Sequence, residues 1–210
     1  MASKVEICNL ALSHVGAYRI SSLSDTTKEA KECSAFYDIA LNATLEDYDW
    51  SFARKRLPLA LLSETYSGWD FAYQYPIDCI IPRKISDPTG VNTGTSYDID
   101  SDRYNPVGKV KYELAVSGDL SSRIILTNKE DAELVYTAKV TNTNLFTNQF
   151  IDAFSLKLAA YLAQPLKGKD GLRIELLQLY ANVVNRSQAV DANSDYREEE
   201  SANTFVSSRH

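Results

Sequence analysis

DYDWSFARKRLPL, residues 47–59, is where the chain changes character. Upstream, apolar residues recur every three or four positions. Downstream, short β-branched and aromatic runs are broken by Gly, Pro and Asn. The stretch reads acidic, then aromatic, then basic, then apolar. Glu46, Asp47 and Asp49 close a helix; Trp50 and Phe52 follow; Arg54, Lys55 and Arg56 come next. Acids at a helix C-terminus oppose its dipole at about 0.3–1 kcal/mol each, so a compensating cation is expected, and none lies in that last turn. If 50–57 is a strand, Arg54 and Arg56 project to one side and Lys55 to the other. Three readings are open: a solvated edge strand protected by charge, a seam between subunits, or a grip on nucleic acid.

Outward from this point, Val5, Cys8, Leu12 and Val15 share one face and predict a helix over 4–15, with Gly16 as a left-handed cap. Thr26 and Glu29 have capping-box spacing and open a helix over 26–49, with Ala30, Cys33, Tyr37, Ala40, Leu41, Thr44 and Tyr48 on its stripe. From 51 to 140, LPLALL, DCIIPRKI, VKYELAV, SRIILT and ELVYTAKV read as strands. Residues 86–108 between them are long and polar, as in a mobile loop. Helix returns at TNQFIDAFSLKLAAYLA, ended by Pro165 and Gly168. LRIELLQLYANVVNRSQAV follows, with Leu172, Leu176, Leu179, Tyr180 and Val183 at helical spacing. Residues 191–210 carry almost no apolar pattern and are expected to be a flexible tail. The expected fold is α+β. An antiparallel-like bundle of four helices forms from 1–50 and 141–190, with 51–140 inserted as a β-rich domain.

The chain has 210 residues, 44% hydrophobic and 24% charged, enough for one good core or two small ones. A net charge of −6 argues against a protein that coats nucleic acid. No apolar stretch has the length of a membrane span, and the opening MASKVEICNL lacks the apolar core of a secretory signal. Cys8, Cys33 and Cys79, odd in number and far apart, suggest reduced thiols, not a disulfide framework. Thirteen tyrosines against seven phenylalanines suit wet apolar surfaces: interfaces or sheet edges.

Chemistry is sparse. His14 and His210 are the only histidines, so a catalytic triad would have to use His14, at a helix end where the dipole already favours it. Metal spacing is absent. Asp98, Asp100 and Asp102 alternate as at the start of an EF-hand loop but lack its glycine and its final glutamate. Gly90 and Gly94 are not followed by Lys-Ser/Thr, and 168-GKDG-171 reads as a turn between helices. No catalytic, cofactor or metal residue emerges.

The order of short motifs is more informative. ICNLALSHVG, SSLSD, a charged helix with Tyr37, and DWSF carry Asn9, Ala11, Leu12, Val15, Gly16, Ser22, Leu23, Asp25, Tyr37, Trp50 and Phe52. Together they resemble the N-terminus of tail tubular protein A, the head-to-tail adaptor family of short-tailed bacteriophages. FAYQYPIDCIIPRKI and VYTAKVTNTNLFTNQFIDAFSLKLAAYLAQPL resemble that family's later strand and C-terminal helix. The resemblance covers about 1–165. The ARKR run and the 88–108 loop depart from the pattern.

The resemblance implies a structural virion protein at the head–tail interface, assembled in the bacterial cytoplasm. Its members form a ring, usually dodecameric, between portal and tail nozzle. The ring continues the channel through which double-stranded DNA passes without specific binding. No enzyme activity or cofactor is implied. Glu46, Asp47, Asp49, Arg54, Lys55 and Arg56 become candidates for the subunit interface. Tyr180, Asp191, Tyr196, Arg197 and Phe205 become candidates for portal contact, and the tail is expected to order there. Rival readings are a connector of long-tailed phages, a polymer hydrolase working through Asp/Glu pairs, and a nucleic-acid module at 50–56.

Overall fold

The computed structural model describes residues 2–86, 110–168 and 170–194. The chain is α+β: four helices and two small antiparallel sheets. Helix α1 spans Lys4–Val15, opened by a capping box between Ser3 and Glu6 and closed by Gly16 at φ 70°. Helix α2 spans Lys28–Asp47, and Thr27, not Thr26, caps it by accepting from the Ala30 amide. Helix α3 spans Asn148–Lys167, capped by Thr147 and ended by Gly168 at φ 61°. Pro165, expected to end α3, lies inside its last turn; it removes one amide hydrogen bond, and the helix stops two residues later at Lys167. The Pro165 carbonyl accepts from Lys28 Nζ at the start of α2. Helix α4 spans Asp170–Ser194, so the backbone is helical four residues into the stretch expected to be a flexible tail. Residues 195–210, and the expected 88–108 loop, lie outside the described residues.

Helix α3 is the hub. It packs against α1, α2 and α4, whereas α1 and α2 touch each other little. Its sequence explains this: Phe150, Phe154, Leu158 and Leu162 form one stripe, and Ala153, Ala159, Ala160 and Ala163 leave room for close approach on other sides. Leu179, expected on the apolar stripe of α4, is 44% exposed; Leu176, Tyr180 and Val184 carry that face.

Sheet one is ordered β1 (Arg54–Pro58), β6 (Glu133–Ala138), β3 (Cys79–Ser86). Sheet two is ordered β2 (Phe71–Gln74), β5 (Arg123–Thr127), β4 (Tyr112–Val116). Their inner faces share a core of Tyr73, Ile125, Ile85, Leu134 and Tyr136. Strand β5 is buried on both faces: Ile125 points into that core, while Ile124 and Leu126 join Ala72 beneath Leu62, Tyr66 and Trp69.

Two strand expectations change. LPLALL is strand only to Pro58; residues 59–62 cross to sheet two and run along β2, where Gln74 N donates to Ala60 O and Leu62 N to Ala72 O. FAYQ forms β2, too short to show an alternating pattern.

Candidate functional site

The 46–56 stretch lies where the helical half meets sheet one, and its geometry starts from two irregularities in β3. Pairing with β6 runs Cys79↔Ala138, Ile81↔Thr137, Pro82↔Tyr136 and Lys84↔Val135, which leaves Ile80 and Arg83 without partners in the register. Bulged residues re-aim their side chains. Ile80 packs on the helical core. Arg83 reaches the C-terminus of α2.

There Arg83 Nη2 lies 2.9 Å from Tyr48 O, 3.1 Å from Glu46 O and 3.3 Å from Leu45 O. Its Nε donates to Thr137 Oγ1 at 2.9 Å. Trp50 Nε1 donates to Thr44 O at 2.8 Å. The orphan carbonyls of the helix end are thus met by a guanidinium and an indole, and the cation demanded by an acidic helix C-terminus comes from β3. Burial pulls the Arg83 pKa down, with Asp49 and Glu46 acting in the opposite sense. A guanidinium stays charged even so.

The interface candidates are brought together, and five of the six are paired within the chain. Asp47 accepts from Lys157 Nζ at 2.9 Å and from Tyr180 Oη at 2.7 Å. Asp49 pairs with Arg54 at 2.9 Å. Lys55 pairs with Asp78 at 2.7 Å, and Arg56 lies 3.7 Å from Glu133. Glu46 is exposed and makes no side-chain ion pair among the described residues. Strand β1 is the outer edge of its sheet, so the cations line an edge.

Asp78 also accepts from Tyr136 Oη at 2.8 Å, and Lys55 Nζ sits over the Tyr136 ring. The bond to Asp78 raises the Lys55 pKa, and burial raises that of Tyr136. Of the portal candidates, Tyr180 is buried between α4 and α2, so its side chain lends little surface to a partner. Asp191 lies in α4; Tyr196, Arg197 and Phe205 lie outside the described residues.

The motif residues have local work. Asn9 Nδ2 donates to Ile20 O and its Oδ1 accepts from Ile20 N, at 2.9 and 2.8 Å, pinning the α1–α2 loop to α1. Asp25 Oδ2 accepts from the Ser21 and Ser22 amides and the Ser21 hydroxyl. Trp50 and Phe52 meet Phe150 edge-on at 5.0 and 4.8 Å between centroids, and Phe146 joins them at 4.7 Å. Tyr37 meets Phe154 at 5.1 Å. Cys8 and Cys33 are buried free thiols; the bond to Cys33, together with burial, pushes the Cys8 thiol well up.

Among the described residues no group of three or more His, Cys, Asp or Glu could hold a metal ion. No described helix is long and apolar enough to cross a membrane. A shallow groove of about 370 Å³ lies between Trp69, Lys111, Asn128 and Lys129. Arg83, Asp78, Thr137, Glu133 and Lys157 were not singled out by sequence reasoning. Only the demand for a cation at the end of α2 pointed to one of them. No protein-family model matches the chain, and none of the curated proteins compared with it matches either.

Proposed function

We propose that the chain is a structural head-to-tail adaptor of a short-tailed bacteriophage. In this reading it is a virion protein that forms a ring, dodecameric in the family it resembles, between the portal and the tail nozzle. The four helices act as the bundle half of the subunit and the two sheets as its lobe. The ring continues the channel for genome retention and ejection, and it performs no catalysis and needs no cofactor.

The observation that carries the reading is what the shared motif residues do. Asn9, Asp25, Tyr37, Trp50 and Phe52 are separated in sequence, yet each fixes a part of the helical half: loop, core or exit toward β1. Their order therefore marks one way of folding this half. A net charge of −6 supports it further, because a channel wall must let DNA slide and phosphate-binding cations would hold it. A ring needs two different patches on each subunit. The 46–56 strip is one candidate patch; its charges are paired within the chain, so a seam there would have to share or exchange these pairs. The portal side of the proposal rests on Asp191 and the segment beyond it.

The test is assembly on purified portal rings, with the full chain beside a chain ending at Val190. Co-sedimentation of the full chain and its loss on truncation are expected. A full chain that ignores the portal would refute the adaptor, and a truncated chain that binds equally would refute the portal contact alone.

A further inference from the structure

The lobe has four sheet edges, and three are guarded. Strand β1 carries Arg54, Lys55, Arg56 and Pro58. Strand β3 is bulged twice and contains Pro82. Strand β2 is covered by residues 60–62. Strand β4, YELAV, has no proline, bulge or lysine, and no strand pairs with its outer edge among the described residues. Natural sheets seldom leave such an edge bare. Its Leu114 and Val116 are each 49% exposed, and Leu120 in the following turn is 81% exposed at φ 59°.

The hydrogen-bond alternation fixes which groups face away from β5. Ser117 N donates to Ser122 O at 2.9 Å across the β4–β5 hairpin. Stepping back by alternation, the amides of Ala115 and Glu113 face β5, and those of Val116, Leu114 and Tyr112 face outward. Those three positions are symmetric about Leu114. An antiparallel copy of the same strand would therefore place Leu114 opposite Leu114, Tyr112 opposite Val116 and Glu113 opposite Ala115. Every outward amide and carbonyl finds a partner, apolar side chains face apolar ones, and no like charges stand directly opposite. Glu113 is already held on the other face by Trp69 Nε1 at 3.0 Å.

We propose that the free chain pairs with a second copy of itself through β4, joining the two second sheets into one continuous six-stranded sheet about a two-fold axis at Leu114. A two-fold contact does not propagate into a one-way ring. The dimer is a state of the unassembled subunit, and the inference stands whether or not the chain forms a ring.

A five-residue strand buries little area, so the dissociation constant is on the order of tens of micromolar or weaker. The experiment is sedimentation equilibrium of the full chain from micromolar to near-millimolar concentration, paired with hydrogen exchange at both ends of that range. The expected result is a monomer–dimer equilibrium, with the Tyr112, Leu114 and Val116 amides protected only at high concentration. Leu114→Lys, at an exposed position, brings two cations together at the axis and raises the dissociation constant by about tenfold or more. Circular dichroism confirms that this variant folds; if it does not, the concentration dependence of exchange in the unaltered chain decides alone. A monomer throughout would overturn the proposal. So would protection independent of concentration, which means the edge is covered within the chain, or a dimer whose β4 amides exchange freely.

Discussion

Replacing Arg83 with Met keeps an unbranched apolar stem and removes the Nε and Nη2 donors that act at the joint. Three carbonyls at the end of α2 share one Nη2, at 2.9, 3.1 and 3.3 Å, so together they count as one to two charge-assisted bonds. At about 1.5–3 kcal/mol for such a bond, plus about 1 kcal/mol for Thr137, the gross loss is about 2.5–7 kcal/mol. Returning a half-buried guanidinium's worth of desolvation recovers part of this, leaving about 2–4 kcal/mol net. For a chain of this size that is a fall in Tm of about 5–15 °C. Arg83→Lys keeps the charge but cannot reach both the carbonyls and Thr137, so about half of the loss should remain. Urea denaturation followed by both tryptophan fluorescence and circular dichroism is the assay, since Trp50 sits at the joint. Arg83→Met within about 0.5 kcal/mol of the unaltered chain would refute the view that this residue fastens the two halves.

Other substitutions separate the remaining parts of the account. Thr27→Ala should cost about 1 kcal/mol and Thr26→Ala almost nothing by thermal unfolding, because only Thr27 accepts from the Ala30 amide. Asn9→Ala should cost about 2 kcal/mol and speed exchange at the Ile20 amide, both bonds of one side chain being lost together. Phe150→Ala, in the middle of the aromatic cluster, should cost about 3–5 kcal/mol in denaturant titration. Burial raises the phenols of Tyr37, Tyr75, Tyr112, Tyr136 and Tyr180, Tyr75 to about 12. A raised folded pKa means the neutral form is favoured by folding. Stability from these groups is therefore complete below about pH 10 and lost as pH climbs through the raised values. Absorbance titration should show these tyrosines ionising together with unfolding, not before it.

The helices were legible because each carries its own signals. Gly16 and Gly168 sit at their left-handed caps, and the 3–4 spacing of Val5, Cys8, Leu12 and Val15 named the buried face of α1. Four strands were readable for the same local reason. What was not readable is long-range. Thr26 and Thr27 offer the same hydroxyl, and only the true helix start chooses between them. The bulges that free Ile80 and Arg83 depend on the register with β6, more than fifty residues away. The charges at 46–56 were visible as a cluster, but their partners Asp78, Glu133 and Lys157 come from other elements. A sequence shows that a helix end needs a cation without showing which strand brings it.

The adaptor reading itself is tested most directly by electron microscopy of the full chain assembled with portal rings. The account predicts a second ring coaxial with the portal, dodecameric, with an open central channel and the same subunit orientation throughout. Portal rings that remain bare while the chain stays a monomer or a two-fold dimer at every concentration would contradict it.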